Sequence, residues 1–340
     1  LGLSAEITAG AIISGAYFGD KISPLSETTN LAPAVAGSEL FSHIKYMFYT
    51  TIPSIVTALV LFTFLGLSEY SQVADKDIGV LGQQLLNNYN IGIENLFPLV
   101  ILIVLAIKKA PAFPSVAIGA LAGALCAVLF QQPLITTLAD PSATSLNANL
   151  TVIWTALFDG VTIKTANEGL NNLLSGGGMS SMLNTVWLII CALSFGAVLE
   201  HLGMLQTFLN AILKSVKSTG SLIASTVATC IGTNVVTADQ YMSIVMPGRM
   251  FKEEYQNRNL HPLVLSRTLE DSGTITSPLI PWNTCGAYMY SVLLVNPLDY
   301  LFYCFFNIIN PILAVTYGFI GFNLKKLSVK QINNLKQSYA

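Results

Sequence analysis

The sequence predicts an all-α polytopic membrane protein organised as inverted structural repeats, with two broken transmembrane helices and a re-entrant hairpin. Three observations carry this expectation. Of the 340 residues 53% are hydrophobic and only 10% charged, with mean hydropathy +0.61, whereas a soluble domain is about 25% charged. Residues 265–285, LSRTLEDSGTITSPLIPWNTC, place Arg267, Glu270, Asp271, two prolines, a glycine and a run of serines and threonines within one membrane thickness. In hydrocarbon such breaks and charges are tolerated only where they face protein or a water-filled cavity, so the segment reads as a site. A second copy lies near the start, where Ser23-Pro24-Leu25 matches Ser277-Pro278-Leu279, with Gly19 and Gly273 four residues before each serine. Further on, residues 40–55 run alongside 298–313, pairing Leu40 with Leu298, Phe48 with Phe306 and Pro53 with Pro311.

Residues 1–66 read as the C-terminal part of an incomplete first repeat: an apolar run from Leu3 to Phe18, the break at 19–30, its continuation at 31–37, and a span at 43–66 of the length a bilayer needs. Residues 67–93 form an external polar loop. The second repeat, 94–322, holds spans at 94–107 and 112–130, a long polar connection with one amphipathic stretch, and a span at 183–202. At 219–248 Gly232-Thr233-Asn234 and 237–240 interrupt two apolar pieces, each too short for a span, and basic residues flank both ends; this is the expected re-entrant hairpin. A broken span at 262–295 and a last span at 299–322 follow, then a tail, 323–340. By the positive-inside rule Lys108, Arg249, Lys326 and the C-terminus are cytoplasmic, and Asp75 and Asp140 lie outside. Threading that topology makes the two broken spans antiparallel, the arrangement in which secondary transporters place ions at exposed half-helix ends. The first motif lies so near the start that the first repeat is expected to lack its N-terminal part, and the chain to be a piece of a longer protein.

A net charge of −2 without a basic stripe excludes nucleic-acid binding. Five singly scattered cysteines read as small buried hydrophobes, with neither disulfides nor a metal centre, and no cofactor is expected.

A cation crossing a membrane needs oxygen ligands that replace water, and its coupling to protons needs carboxylates that hold either. Desolvation raises a carboxylate's proton affinity, so one group can exchange H⁺ for Na⁺ near neutral pH. The acid candidates are Asp20, Glu27, Asp239, Glu270 and Asp271, with Asp20, Asp239 and Asp271 the Na⁺ ligands. Ser23, Ser26, Thr28, Thr29, Asn30, Thr233, Asn234, Thr237, Ser272, Thr274, Ser277, Asn283 and Thr284 are the neutral donors. Each acid has a structural alternative. Glu270 or Asp271 could pair with Arg267 along the helix, Asp20 could pair with Lys21, and Glu27 and Asp239 could cap helices. His43 and His261 are expected in solvent at loop boundaries, Glu200-His201 at a span end, Trp187, Tyr288 and Tyr303 in lipid-belt or packing positions, and Trp282 at the site as a gate.

Residues 19–37, 232–255 and 265–289 resemble the hallmark stretches of the NhaC-type Na⁺/H⁺ antiporters, in order and as far as about residue 320. The resemblance implies a prokaryotic inner-membrane carrier, not an enzyme, exchanging cytoplasmic Na⁺ or Li⁺ for external H⁺, with the lipid bilayer and a second copy in a homodimer as further partners. Relatives exchange malate with H⁺ for lactate with Na⁺, and for that substrate Lys21 or Arg267 would hold the carboxylates. An ion channel would share the polar breaks without needing titratable groups. An intramembrane aspartyl protease is disfavoured because Tyr17 stands where the first glycine of a Gly-x-Gly-Asp motif would be.

Overall fold

A computed structural model describes residues 4–24, 26–69, 86, 89–108, 110, 112–139, 144–163, 171, 174–204, 207, 212 and 216–327. Asp75, Asp140, most of the expected external loop and the tail after Leu327 lie outside the described residues. The chain divides into two compact units, one of residues 72–184 and one of residues 3–71 with 185–340.

In the first unit a 3₁₀ turn, Ile93–Leu96, leads into α4 (Phe97–Ile107), which packs on α5 (Ala112–Phe130). Gln131 closes this pair by donating to the Asn90 carbonyl at 2.7 Å and accepting from the Asn90 amide at 2.9 Å. The polar connection contains α6 (Gln132–Leu138), α7 (Ser145–Phe158) and a small antiparallel ribbon of β1 (Gly160–Val161) and β2 (Gly176–Gly177), an exception to the all-α expectation. Gly160 has φ 89°, and a Cβ there would lie 1.9 Å from the Gly176 carbonyl, so only glycine fits. Helix α8 (Met179–His201), close to the expected span, starts in this unit and belongs to the second from Thr185 on.

The second unit begins with α1 (Ala5–Ile22), α2 (Glu27–Ala36) and α3 (Leu40–Glu69). Ser26 opens α2, its hydroxyl accepting from the Thr29 amide. Helix α3 has 30 residues, about 45 Å at 1.5 Å per residue, enough to cross hydrocarbon with tilt. Its Ile44, Met47, Thr51, Ser54 and Ala58 are buried at helical spacing, while Phe48, Ile52, Val56, Leu59 and Phe64 are exposed. That apolar outer stripe is the face a lipid-embedded helix presents. Among the described residues three helices are long and apolar enough to cross a membrane, Leu40–Leu67, Phe113–Phe130 and Thr219–Thr237, or four with the bent pair described below. The protein is a mostly helical, multi-pass membrane protein.

Helices α9 (Thr219–Thr237) and α10 (Gln240–Asn257) pack on each other. The expected interruption at Gly232-Thr233-Asn234 does not occur; the helix runs through it, because Asn234 turns its amide into the protein interior. The break is at Ala238, which takes the left-handed conformation at φ 55°. The first arm is therefore span-length, and the second continues past 248 to Asn257. Next come α11 (Pro262–Leu269), a turn of π-helix (Glu270–Thr274), a 3₁₀ turn (Ser277–Leu279) and α12 (Thr284–Leu293). The expected last span, 299–322, consists of α13 (Pro297–Tyr300) with a 3₁₀ turn (Leu301–Tyr303), bent by 60° at Cys304 from α14 (Phe305–Ile320). Small residues permit the closest approaches: a Cβ on Gly10 would meet the Tyr303 backbone at 2.6 Å, and one on Gly220 would meet Phe319 at 2.6 Å.

The two Ser-Pro-Leu copies share an element order. In each, a helix breaks at the motif, a ten-residue helix follows (α2, α12), a left-handed residue closes it (Gly37, Leu294), and a later helix contains the aligned proline (Pro53 in α3, Pro311 in α14). Two apolar clusters fill the unit, one from α2, α9, α10 and α11 around Phe251 and Leu269, the other from α1, α3 and α14 around Ile13 and Phe306. The π-turn joins them, since Leu269 belongs to the first and Ile275 to the second.

Candidate functional site

The π-turn is where charge enters the interior. A π-turn widens the helix by one residue and leaves backbone groups free, a feature common at functional sites. It packs against α2, α9, α10, α11 and α14, and every residue from Leu263 to Pro278 is buried.

Asp271 is fully buried and is met by three helices. Lys21, at the end of α1, donates its ammonium to Asp271 Oδ1 and donates to Asn310 Oδ1 on α14 at 2.9 Å. Thr50 on α3 donates to the same Asp271 oxygen at 3.0 Å. One turn earlier, the Arg267 guanidinium lies 3.8 Å from Asp271 Oδ2 and 4.6 Å over the Tyr46 ring. None of its nitrogens makes a hydrogen bond, so the ring face and the carboxylate together meet its charge. Of the alternatives open from sequence, the pairing of Arg267 with Asp271 is present, and the pairing of Lys21 with Asp20 is replaced by Lys21 with Asp271.

Glu270 is also fully buried. Its Oε1 lies 3.2 Å from the Thr28 hydroxyl, and the same hydroxyl lies 3.2 Å from Asp20 Oδ2 and 3.1 Å from the Ser26 hydroxyl. A hydroxyl has one proton to donate. Thr28 therefore donates to one carboxylate at a time and faces the other with a lone pair, and among the described residues neither acid has a base in ion-pair contact. Glu270 Oε2 makes no hydrogen bond.

The remaining candidates fall into three groups. Asn234 donates to the Gly273 carbonyl at 2.6 Å and to Thr276 at 3.1 Å, and accepts from Asn283 at 3.0 Å, so these two amides stitch α9 to the second break. Thr233 and Thr237 are tied within α9, the Thr237 hydroxyl donating to the Thr233 carbonyl. Ser272 donates to the Thr268 carbonyl, and Ser277 donates to the Thr274 carbonyl and contacts the Tyr17 hydroxyl at 3.2 Å. Thr274 is buried in the π-turn. Near the first break, Thr29 donates to the Asp20 carbonyl and Asn30 to the Pro24 carbonyl, while Ser23 caps α1. Away from the charged centre, Asp239 caps α10 by accepting from the Met242 amide at 2.8 Å, Glu27 is exposed and accepts from the Tyr241 hydroxyl, and Thr284 bonds the Ala238 carbonyl through its amide.

One expectation about the imidazole groups changes. His43 is not solvated: it is fully buried on α3, with Nδ1 2.9 Å from the Ser266 hydroxyl, because α3 turns that face onto α11. His261 caps α11 by accepting from the Leu263 amide. Trp282 is half exposed, its indole donating to the Val235 carbonyl at 2.7 Å, and Trp187 and Tyr288 are exposed as belt residues would be. Cys126, Cys230 and Cys304 are buried, but Cys191 is exposed on α8 and Cys285 is partly exposed, so the expectation of burial holds for three of the five. Sequence reasoning missed Thr50 and Asn310. The available signal was a polar side chain one to three residues before a repeated proline in an otherwise apolar span. Among the described residues no cluster of three His, Cys, Asp or Glu is placed to hold a metal ion.

The sequence profile described as "Na+/H+ antiporter family" matches residues 15–322. The chain is 36% identical over 326 residues to the Na(+)/H(+) antiporter NhaC of Alkalihalophilus pseudofirmus, covering 96% of this chain and 67% of that one. It is 36% identical over 320 residues to NhaC of Bacillus subtilis, covering 94% and 68%. A malate-2H(+)/Na(+)-lactate antiporter of Bacillus subtilis is 37% identical over 322 residues, covering 94% and 66%. No solved structure matches. The chain belongs to the Na⁺/H⁺ antiporter family.

Proposed function

We propose that this protein is a secondary active transporter that exchanges Na⁺ or Li⁺ for H⁺ across the cytoplasmic membrane by alternating access. The observation that carries this reading is the Thr28 hydroxyl shared between Asp20 and Glu270. Three acids, Asp20, Glu270 and Asp271, face two bases, Lys21 and Arg267, and both bases lie against Asp271. The five groups sum to one negative charge, and the acids without an ion-pair partner, Asp20 and Glu270, are the two beside Thr28. A proton or one monovalent cation neutralises that charge, with the Ser26 and Thr28 oxygens available to replace water. An unmatched charge away from water costs several kcal/mol, on the order of the penalty for any buried unpaired ion. The broken helices therefore rearrange with the site filled by one ion or the other, which is the coupling an antiporter needs.

The matched element order of 5–69 and 262–320 supports an inverted repeat, with the two breaks meeting at the centre of the bilayer and the C-terminus cytoplasmic. An organic-acid exchanger needs an accessible cation for its carboxylates; Lys21 is held by Asp271 and Asn310, and Arg267 is fully buried between Asp271 and the Tyr46 ring. An aspartyl protease needs two acids on one water, whereas Asp20 and Asp271 hold different partners.

Everted vesicles containing the protein test the reading. The lumen of such a vesicle corresponds to the cell exterior, so Na⁺ added alone enters as H⁺ leaves and the lumen becomes alkaline. A response that appears only with malate and lactate on opposite sides would reject cation exchange.

A further inference from the structure

Lys21 has two acids within reach of its charge, Glu270 and Asp271, both from the second break. Arg267 and His43 also face it electrostatically, and Thr50 from α3 bonds the same Asp271 oxygen. Which acid the ammonium neutralises decides which one stays open. Lys21 is fully buried and has two side-chain acceptors, Asp271 and Asn310. Asn310 is itself fully buried on α14, directly before Pro311. One turn earlier on the same helix Asn307 donates to the Ile275 carbonyl at 2.8 Å, so α14 grips the second break with one amide and Lys21 with the next. An ammonium in an apolar interior is directed by its fixed acceptors, because each N–H left without one is costly. With Asn310 gone, the carboxylate oxygens left without a hydrogen bond around the second break are Asp271 Oδ2 and Glu270 Oε2, and Glu270 is the second acid that faces the ammonium.

We propose that Asn310 is a positioning residue for ion exchange: it holds the Lys21 ammonium on Asp271 and off Glu270, which keeps the acids beside Thr28 open to the transported cation. This rests on the cation exchange proposed above. Asn310 touches no transported ion; it acts through Lys21.

The test uses Asn310→Leu, Asn310→Gln and Lys21→Met in the complete protein. In everted vesicles Asn310→Leu raises the KM for Na⁺ about tenfold with kcat within about twofold, because a misdirected ammonium competes with Na⁺ at the acids. Its pH profile moves as well, since the competing charge is a titrating amine. Asn310→Gln keeps a neutral amide acceptor and restores the KM. An unchanged KM and pH profile in Asn310→Leu, or an equal rise in Asn310→Gln, overturns the proposal. If the leucine variant fails to insert, Asn310→Ala removes the acceptor without added bulk.

A thermal double-mutant cycle with Lys21→Met is independent of transport. Melting-temperature losses that fall short of additive show that Asn310 acts through Lys21, and additive losses overturn the proposal even in a protein that moves no Na⁺. A wild type silent to Na⁺, by contrast, rejects only the exchange reading.

Discussion

The two helix breaks share Ser-Pro-Leu yet are built differently. The first spans only residues 23–26 between α1 and α2, and Pro24, Glu27 and Asn30 around it are exposed. The second runs over residues 270–283 through a π-turn, a 3₁₀ turn and a hydrogen-bonded turn at 280–283, and is buried from Glu270 to Pro278. Each supplies what the other lacks. The first sends Lys21 into the second to neutralise Asp271, and the second sends Glu270 back to share Thr28 with Asp20. The same local motif thus makes one break that is closed by an ion pair and one that is left short of a charge; the surrounding helices, not the motif, make the difference.

Mutations sharpen that contrast, the largest effect coming where the charge is fully paired. Asp271→Asn leaves two buried cations facing a neutral amide, so it is expected to lower stability by about 3–5 kcal/mol and to abolish Na⁺-driven proton movement. Thermal unfolding in detergent and vesicle assays measure both, and a stable, active variant would show that the pair is dispensable.

Glu270→Gln and Asp20→Asn act at the open side. Each is expected to abolish exchange while costing less stability than Asp271→Asn, since no cation is orphaned. Full activity in both would return these acids to a structural role.

Thr28→Val removes the shared hydroxyl but not the acids. The expected result is retained exchange with the KM for Na⁺ raised about tenfold, the loss of one hydrogen bond to a charged group. A KM equal to wild type would mean that Thr28 does not contribute to cation binding.

Asn283→Ala strips the amide that ties the second break to Asn234, and is expected to cost about 1–3 kcal/mol as buried acceptors lose their donor. A loss confined to activity, with melting unchanged, would move Asn283 from scaffold to ligand.

The smallest effect is expected at the exposed rim of the first break. Tyr241→Phe removes the donor to Glu27, a partly hydrated contact worth under about 1 kcal/mol, and a larger loss in melting would show that this rim is shielded from water.

Much of this was legible from residue order. The long apolar runs locate α3, α5 and α8 because a bilayer demands helices of about 20 residues. The two breaks were visible because proline, glycine and carboxylates are out of place in such runs. Gly232-Thr233-Asn234 misled for the same reason: polar residues that look like an interruption can continue a helix when a neighbouring segment bonds them, as Gly273 and Asn283 bond Asn234. His43 looked solvated beside a loop, and only the packing of α3 on α11 buries it.

The sequence by itself determined the class of protein, the places where the helices break and the set of acids gathered there, because hydropathy and backbone chemistry act over a few neighbouring residues. It did not determine partners. That Lys21 ignores the adjacent Asp20 and pairs with Asp271, 250 positions away, that Thr50 and Asn310 complete that pair, and that Asp239 serves as a helix cap were decided by tertiary structure. Electrostatic pairing depends on distances of a few ångströms between side chains from different helices, and that distance exists only after the helices have packed.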